Sequence, residues 1–517
     1  MSHAAPSAAS FSDPSPHLIR EIVIVGGGTA GWMSAALLAR MLPARHRIRL
    51  VESSQIATIG VGEATIPSIR AFNEMVGIDE DEFMRHTQAT FKLGIEFVNW
   101  SREGESYIHG FGVIGRDQPL AKFHQYWLKM HLAGQADDLA AYSINTMAPR
   151  AGKFMRPPPD MPRSPLADLS YAFHFDAGLY ARYLRGVAES AGVTRIEGRI
   201  VGTVLRADDG FVEALQMDNG ERIAGDLFLD CSGLAGLLIE GALHTGFEDW
   251  SAWLPADSAV AVPCASAGPL LPLTRSTARK AGWQWRIPLQ HRTGNGHVFS
   301  SRFMSADEAQ AILMANLDGE ALAEPRLIRF ATGKRKKAWN RNVVAIGLAG
   351  GFMEPLESTS IHMVQTALTR LIACFPDRRF SQPDIDLYNA QTDEEYERIR
   401  DFLIMHYKVN ARDGLPFWDY CRTMDVPDAV RARIDLYRSH GRLMRKGDEL
   451  FADASWLQIM HGQGLRAGGY HPLVDQRSSA DISAFLAAVK NTIRACVEVM
   501  PTHEEYIAHT CKAPPGA

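Results

Sequence analysis

The feature that most constrains this chain is a glycine-rich turn near its N-terminus, Gly26-Gly27-Gly28-Thr29-Ala30-Gly31. A β-branched run, Glu21–Val25, leads into it, and an Ala- and Leu-rich stretch, Trp32–Met41, follows. A second apolar run, Ile48–Val51, ends at Glu52. This order predicts a strand, a tight turn, a helix and a second strand, which is the unit that binds a dinucleotide.

The residue types of this unit suit a bound pyrophosphate. Gly26 allows the tight turn, Gly28 lets backbone N–H groups approach the phosphates, and Gly31 lets helix and strand pack closely. Glu52, about 20 residues further on, can accept hydrogen bonds from ribose hydroxyl groups. We therefore predict that the cofactor contacts the following residues of this unit: Gly26, Gly28, Thr29, Ala30, Gly31 and Glu52.

Composition excludes several classes of protein. With 517 residues, 46% of them hydrophobic, the chain can build two or three modules, and its net charge of −5 argues against a nucleic-acid partner. Six scattered cysteines without a CxxC pair indicate reduced thiols, and we assign no metal site. No run reaches the roughly 18 apolar residues of a membrane span. Residues 1–17 lack a basic start and an apolar run, so we expect no signal peptide and a cytoplasmic protein.

Residues 283–288 read Trp-Gln-Trp-Arg-Ile-Pro and narrow the choice of cofactor. Two tryptophans one residue apart on a strand point to the same face, which suits sheet packing as well as a functional role. A Trp-x-Trp-x-Ile-Pro motif behind a dinucleotide-binding unit resembles the flavin-dependent halogenases, the family that includes the tryptophan halogenases. The resemblance extends from about residue 20 to the 460s.

The resemblance implies FAD as the cofactor and further contacts with it. In the family, an octapeptide very similar to Gly60–Pro67 (Gly-Val-Gly-Glu-Ala-Thr-Ile-Pro) lies along the flavin. A later apolar run, Asn342–Gly351, is predicted to be a buried strand that ends in glycines. We therefore add the following to the predicted FAD contacts: Gly62, Glu63, Ala64, Gly347 and Leu348.

The element pattern and the resemblance together predict an α/β fold. It comprises a Rossmann-like, flavoprotein monooxygenase-type FAD-binding domain, an additional β-sheet and a mainly helical C-terminal module. Residues 383–450 are charged and carry Tyr, Leu and Ile at three- and four-residue steps, which is typical of helices. We expect a disordered tail over 1–18, the FAD-binding module with its substrate-facing sheet over 19–380, and a helical module covering the substrate over 381–517.

A lysine inside an apolar stretch, Lys92, is the first candidate catalytic residue. Such a lysine ordinarily lies at the surface with its charged end in solvent. Here residues 91–100 (Phe-Lys-Leu-Gly-Ile-Glu-Phe-Val-Asn-Trp) resemble the family segment that bears the catalytic lysine, and Lys92 falls on that position.

The segment Gly351–Ser360 (Gly-Phe-Met-Glu-Pro-Leu-Glu-Ser-Thr-Ser) supplies the second candidate. A helix that starts after such a turn offers an anion site at its N-terminus. In the family, the glutamate of Pro-Leu-Glu-Ser-Thr reaches the substrate and the backbone after it binds halide, which implies a catalytic Glu357 and halide binding at Thr359 and Ser360. Tryptophan halogenases usually have Gly where this chain has Ser360.

Four aromatic residues complete the predicted site. His109 and Phe111 match family positions that sandwich an aromatic substrate, although both would also be ordinary in a strand. Trp283 and Trp285 are predicted to separate flavin from substrate and so to favour halide over direct oxygenation of the substrate. Packing within the sheet explains the two tryptophans equally well.

The resemblance implies a two-component reaction in which reduced FAD, O2 and chloride or bromide yield hypohalous acid. Lys92 would receive it, either by hydrogen bonding or through halogenation of its amine, and the sequence leaves both open. Glu357 would stabilise the ring cation and remove the ring proton. Since no nicotinamide site is visible, a separate NAD(P)H-dependent flavin reductase is expected as partner. The sequence does not decide whether the chain forms a homodimer.

The substrate is predicted to differ from free tryptophan. Tryptophan halogenases carry a longer aromatic and acidic stretch that holds the amino-acid group, whereas here Phe451–Gln458 leads quickly to Gly462–Gly464. We expect indole or another electron-rich aromatic, with bromide favoured over chloride because of Ser360. The alternatives are an FAD-dependent aromatic monooxygenase, disfavoured because Gly347–Gly350 replaces its Gly-Asp motif, and a non-catalytic FAD-binding protein.

Overall fold

The computed structural model describes residues 16–56 and 62–514. Apart from residues 16–18, the predicted N-terminal tail lies outside the described residues. Gly60 and Val61 of the octapeptide expected along the flavin lie outside them as well, whereas Gly62–Pro67 is described.

Within those ranges, strands β1 to β22 are numbered in chain order. They are Glu21–Val25, Arg47–Glu52, Gly62–Ala64, Thr90–Lys92, Gly94–Val98, Ser106–Gly110, Ala172–Asp176, Thr194–Glu197, Ile200–Leu205, Val212–Met217, Arg222–Ala224, Leu227–Asp230, Phe247–Asp249, Ser258–Cys264, Leu273–Arg279, Gly282–Pro288, Thr293–Phe299, Arg326–Arg329, Gly333–Arg335, Trp339–Asn340, Val343–Ala345 and Gly351–Phe352.

Helices α1 to α14 of the same ranges are numbered in the same way. They are Thr29–Met41, Ser68–Met75, Glu80–His86, Phe123–Leu132, Ile144–Arg150, Ala177–Ser190, Ala306–Ala315, Ser360–Ala373, Gln382–Lys408, Pro416–Thr423, Asp428–His440, Asp453–Gly462, Ser479–Glu498 and His503–Thr510.

A six-stranded sheet in the order β20-β21-β12-β1-β2-β8 forms the nucleotide-binding part. Strand β1 runs parallel to β2 on one side and to β12 on the other, and its last four residues are buried. Parallel strands of this kind are usually covered by helices on both faces of the sheet, which explains why their sequences are short apolar runs. The predicted strand–turn–helix–strand unit and the α/β class are thereby confirmed, with α1 starting at Thr29 rather than at Trp32.

Two positions of the turn require glycine, because another part of the backbone lies too close to leave room for a Cβ atom. Gly26 has φ of +108°, and a Cβ atom there would lie 2.4 Å from the Cys231 carbonyl oxygen. A Cβ atom on Gly31 would lie 1.8 Å from the Gly26 carbonyl oxygen. Helix α1 can therefore pack against the end of β1 only because Gly31 has no side chain.

A seven-stranded sheet in the order β18-β14-β17-β16-β15-β5-β6 forms the second layer. Its central strand β16 carries the Trp-Gln-Trp segment and pairs antiparallel with β15 and β17. Strands β5 and β6 extend the sheet towards His109. A third, small sheet in the order β3-β7-β4 carries both Glu63, on β3, and Lys92, on β4.

The described part of the chain from Gln382 onward contains helices and one short 3-10 turn as its regular elements. The longest, α9, packs against α10, α11 and α12, and its buried face includes Phe402 and His406. Among the described residues, no helix combines the length and apolar character needed to cross a bilayer.

Candidate active site

A cavity of about 520 Å³ extends from the glycine turn to the start of α8. Its wall includes most of the residues predicted to contact the cofactor: Gly26, Gly28, Thr29, Ala30, Glu52, Glu63, Ala64, Gly347 and Leu348. Gly31 lies one turn into α1, at the contact with Gly26, and Gly62 begins β3 directly before Glu63. The folded chain thus places segments that are more than 300 positions apart, such as Gly26–Ala30 and Gly347–Leu348, around one cavity.

The residues of this wall fit FAD. Gly28 precedes α1, no acidic side chain lies in the first turn of that helix, and a Cβ atom on Gly28 would meet no atom of the described residues within 4 Å. An uncluttered helix N-terminus of this kind accommodates a pyrophosphate. Glu52 lies at the end of β2, where Arg195 donates a hydrogen bond to its carboxylate. Burial raises the pKa of Glu63 in the same wall to about 7.

The two tryptophans of β16 form part of the cavity wall. Trp283 and Trp285 are both buried, and their ring centres lie 6.2 Å apart at an interplanar angle of 58°. The indole nitrogen of Trp283 donates to an Oε atom of Glu354 at 3.3 Å, and burial raises the pKa of Glu354 to about 7. The pair therefore packs in the sheet and faces the cavity at the same time.

Lys92, at the end of β4, is fully buried. Its Nζ atom donates to the Thr65 carbonyl oxygen at 3.0 Å and to the Ser358 hydroxyl oxygen at 2.9 Å. The ring centre of Phe111 lies 5.4 Å from the same nitrogen. Burial lowers the pKa of Lys92 to about 7, against the raising effect of the charge on Glu357, so both protonation states are accessible near neutral pH.

Ser358 connects Lys92 with the cavity. It follows a 3-10 turn over Pro355–Glu357, and its φ of 59° and ψ of 36° lie in the left-handed region. This conformation is costly for a residue with a side chain and is typically retained where function requires it. Ser358 belongs to the cavity wall and accepts the hydrogen bond of Lys92, a role that sequence reasoning did not assign to it.

Glu357 is buried between two histidines. His109 Nδ1 lies 2.9 Å from its Oε2 atom and 3.0 Å from its Oε1 atom, and His406 Nε2 lies 2.7 Å from Oε1. Burial alone raises the pKa of this carboxyl, but His109 and His406 outweigh that effect and lower it to about 2. Glu357 is therefore ionised throughout the physiological pH range.

His406 was not identified as a site residue from the sequence. It lies on α9, and its Nδ1 atom is 2.8 Å from the Phe402 carbonyl oxygen. A histidine among apolar residues of a long helix carries no sequence signal for its partner, because the partner, Glu357, lies on a different element.

The residues predicted to bind halide lie at the start of α8. Thr359 is the N-cap and Ser360 the first residue of the helix, and both belong to the cavity wall. The Thr359 side chain makes no capping hydrogen bond, so it does not occupy the first N–H groups of the helix as an N-cap side chain usually does. The described residues contain no group of three or more His, Cys, Asp or Glu side chains placed to hold a metal ion.

The predicted substrate side of the site is aromatic. His109 is buried on β6 and contacts Glu357, whereas Phe111 is half-buried beside Lys92. Phe451, the first residue of the segment predicted from the sequence to be shorter than in tryptophan halogenases, stacks on Phe402 with ring centres 3.8 Å apart. Lys92, Glu357, His109 and Phe111 thus come together from distant parts of the chain.

Comparison with known proteins gives a consistent result. The sequence model of the tryptophan halogenase family matches residues 21–479. The tryptophan 6-halogenase ThaL of Streptomyces albogriseolus is 34% identical, covering 94% of this chain and 97% of its own. The tryptophan 7-halogenase RebH of Lentzea aerocolonigenes is also 34% identical, covering 95% and 98%.

Two solved structures are more similar in sequence. Xcc4156, a flavin-dependent halogenase from Xanthomonas campestris, is 47% identical with a TM-score of 0.94, covering 97% of this chain and 100% of its own. BrvH, a flavin-dependent halogenase from Brevundimonas sp. BAL3, is 49% identical with a TM-score of 0.91, covering 96% and 99%.

Proposed function

The chain belongs to the tryptophan halogenase family of flavin-dependent enzymes. On that premise we propose that it halogenates an indole-like or other electron-rich aromatic compound, with Lys92 and Glu357 as the catalytic residues. The observation that carries this proposal is the hydrogen bond between Lys92 and Ser358. It joins a buried lysine to the wall of the cavity that fits FAD, next to a buried carboxylate.

The residues that would hold FAD are those of the cavity wall from Gly26 to Leu348. FADH2, when bound, supplies two electrons to O2 while the halide supplies two more, so that hypohalous acid and water form. The indoles of Trp283 and Trp285 exclude the organic substrate from the cavity. Thr359 and Ser360 hold the halide at the N-terminus of α8, where the helix dipole favours an anion.

Lys92 receives the oxidant on the far side of Ser358. Because Lys92 is buried, water does not compete for the oxidant there, and free hypohalous acid is kept from other side chains. The pKa of Lys92 near 7 provides a substantial fraction of neutral amine, which can bind or react with hypohalous acid as a nucleophile.

Glu357 acts on the substrate ring. Attack by an electrophilic halogen gives a cationic ring, and a fixed carboxylate stabilises that charge. The low pKa of Glu357 makes it a weak base, but a cationic ring is acidic enough to give its proton to such a base. His109 fixes the carboxylate through a contact with both oxygens, and Phe111 faces the substrate beside Lys92.

The segment Phe451–Gln458 supports a substrate without an amino-acid group. It contains no tyrosine and no glutamate, whereas the stretch expected to hold the amino-acid group in tryptophan halogenases is longer, aromatic and acidic. Its first residue packs against Phe402. Indole, or a larger indole or phenol, therefore fits this site better than free tryptophan. The side chain of Ser360 changes the start of α8 and favours the larger, less strongly hydrated bromide over chloride.

A separate NAD(P)H-dependent flavin reductase supplies the reduced cofactor in this proposal. Aromatic hydroxylation is the less favoured alternative, because the Gly-Asp motif expected for it is replaced by Gly347–Gly350. The two reactions differ in their requirement for halide and in the mass of the product.

The test is a screen of aromatic compounds with FAD, NADH and an added flavin reductase, with and without bromide. We expect a brominated indole whose formation depends on halide and a much slower reaction of free tryptophan. Oxygenated products in halide-free buffer would instead support the hydroxylase, and equal rates for tryptophan and indole would contradict the substrate proposal.

A further inference from the structure

The hydrogen bonds of His406 determine how many protons its ring carries. Nδ1 lies 2.8 Å from the Phe402 carbonyl oxygen, which can only accept, so Nδ1 bears a proton. Nε2 lies 2.7 Å from the Oε1 atom of Glu357. A bare ring nitrogen and an ionised carboxylate at that distance would place two lone pairs against each other, so a second proton lies between them.

The surroundings of Glu357 place that second proton on the histidine. The carboxylate also faces His109 Nδ1 at 2.9 Å, and two N–H donors stabilise its ionised form. The low pKa of Glu357 agrees with this distribution. His406 is fully buried, and the rings of Phe97, Trp100 and Phe402 have centres within 6.2 Å of its own, so no solvent shell competes for the proton.

We infer that His406 is a charge-balancing, positioning residue of this site: it is held as an imidazolium against Glu357, so that the buried pair is neutral and Lys92 can function as an amine. The second half of this inference rests on the proposed function. His406 contacts Glu357 and acts on Lys92 only through it.

The charged and titratable groups around the pair support this role. Glu357 acts electrostatically on Lys92 and on the buried hydroxyl of Tyr107, besides its contacts with the two histidines. On the other side, Lys92 acts on the buried His174, whose pKa is lowered mainly by burial. Without the charge of His406, the negative charge of Glu357 would be uncompensated and would favour the ammonium form of Lys92.

The chain contains an internal reference for this inference. His297 is also fully buried, its Nδ1 atom lies 3.0 Å from the Ala309 carbonyl oxygen, and its Nε2 atom has no hydrogen-bond partner within residues 16–56 and 62–514. Burial lowers the pKa of His297 to about 4. His297 should therefore carry one ring proton at neutral pH, whereas His406 should carry two.

Nitrogen-15 NMR of the full-length protein labelled at histidine distinguishes the two states at pH 7.5, with assignments made through His406→Gln and His297→Gln. We expect both His406 ring nitrogens to resonate as protonated and one His297 nitrogen to resonate as unprotonated. An unprotonated Nε2 in His406 would overturn the inference. This measurement needs no turnover, so it can succeed or fail independently of the proposed halogenase activity.

The consequence for Lys92 is tested by pH–rate profiles of single-turnover halogenation. His406→Gln retains an amide donor but no charge, so the apparent pKa of the profile should rise. A rise of about one pH unit decreases the fraction of Lys92 in the neutral amine form at pH 7 about fivefold. His297→Gln should leave the profile in place. An unshifted profile in a folded His406→Gln protein would contradict the charge-balancing role. If this variant has lost turnover, the pKa of Lys92 is instead compared between the variants by NMR of the Nζ atom.

Discussion

The amine nitrogen of Lys92 and the hydroxyl oxygen of Ser358 lie 2.9 Å apart, and this contact joins two compartments of the molecule. Ser358 belongs to the wall of the cavity that fits FAD, whereas Lys92 lies beside Phe111 and feels the charge of Glu357. In the proposed function, an oxidant formed in the cavity would pass this contact on its way to the aromatic side of the site. The left-handed backbone of Ser358 holds the hydroxyl at that point.

The two tryptophans of β16 are expected to keep halogenation coupled to oxidation of FADH2. Replacing both Trp283 and Trp285 with Leu would open the cavity wall, so we expect more hydrogen peroxide release per halogenated product and some oxygenated aromatic product. The ratio of peroxide to product, with product identity from mass spectrometry, measures this. Trp127→Phe, a buried tryptophan on α4, is the control. If a folded double variant released no more hydrogen peroxide per halogenated product than the unchanged protein, the two tryptophans would serve only to pack the sheet.

Ser360 is expected to set the halide preference. In Ser360→Gly the start of α8 would match the usual tryptophan halogenase sequence, so the ratio of chlorinated to brominated product in equimolar halide should increase. Ser305→Gly, at the N-cap of α7, is a control for loss of a serine at a helix start elsewhere. Predominant chlorination by the unchanged protein would contradict the proposed preference for bromide.

Activity is expected to increase with pH around neutrality. Lys92 loses its proton as pH rises through about 7, while Glu357, with a pKa of about 2, stays ionised, so of these two catalytic candidates only the lysine changes state in this window. If the neutral amine reacts, the single-turnover rate should increase about tenfold per pH unit below 7 and level off above it. A rate that falls through pH 7 would indicate that the ammonium form is the active one.

Gly31 is expected to be essential for the nucleotide-binding unit. In Gly31→Ala the new Cβ atom would meet the Gly26 carbonyl oxygen, so we expect a loss of about 2–4 kcal/mol in the free energy of unfolding together with weaker FAD binding. Gly186→Ala is the matched control, because a Cβ atom there on α6 meets nothing within 4 Å. That variant should be neutral or stabilised by up to about 1 kcal/mol. Urea unfolding and FAD titration measure both.

Local patterns predicted the nucleotide-binding unit well. Strand β1 is found at Glu21–Val25 as predicted, because a β-branched run before glycines is determined by neighbouring residues. The start of α1 was predicted three residues late, since Gly28 acts as N-cap and Thr29 and Ala30 enter the helix. The run Asn342–Gly351 is divided into the short strand Val343–Ala345, a 3-10 turn over Gly347–Ala349 and the first residue of β22, because Gly347 turns the backbone with φ of 67°.

Contacts within the site were less accessible from the sequence. The partners of Lys92 and Glu357 are fixed by packing between distant elements, as the 266 positions between Lys92 and Ser358 illustrate. Motifs singled out Lys92 and Glu357 as catalytic candidates, but they gave no reason to pair His406 on α9 with Glu357. Sequence reasoning assigned no role in the site to Ser358, and its left-handed conformation became apparent only in the folded chain.

The most direct test of the central claim is the bromide-dependent conversion of indole by Lys92→Ala, compared with the unchanged protein and with Lys280→Ala, an exposed lysine paired with Glu308. FAD binding is measured in parallel to show that the cavity is intact. We predict that Lys92→Ala binds FAD and still oxidises bromide, but forms bromoindole at least about a hundredfold more slowly, while Lys280→Ala is unaffected. Full bromoindole formation by Lys92→Ala would contradict the assignment of Lys92 as the residue that receives the oxidant.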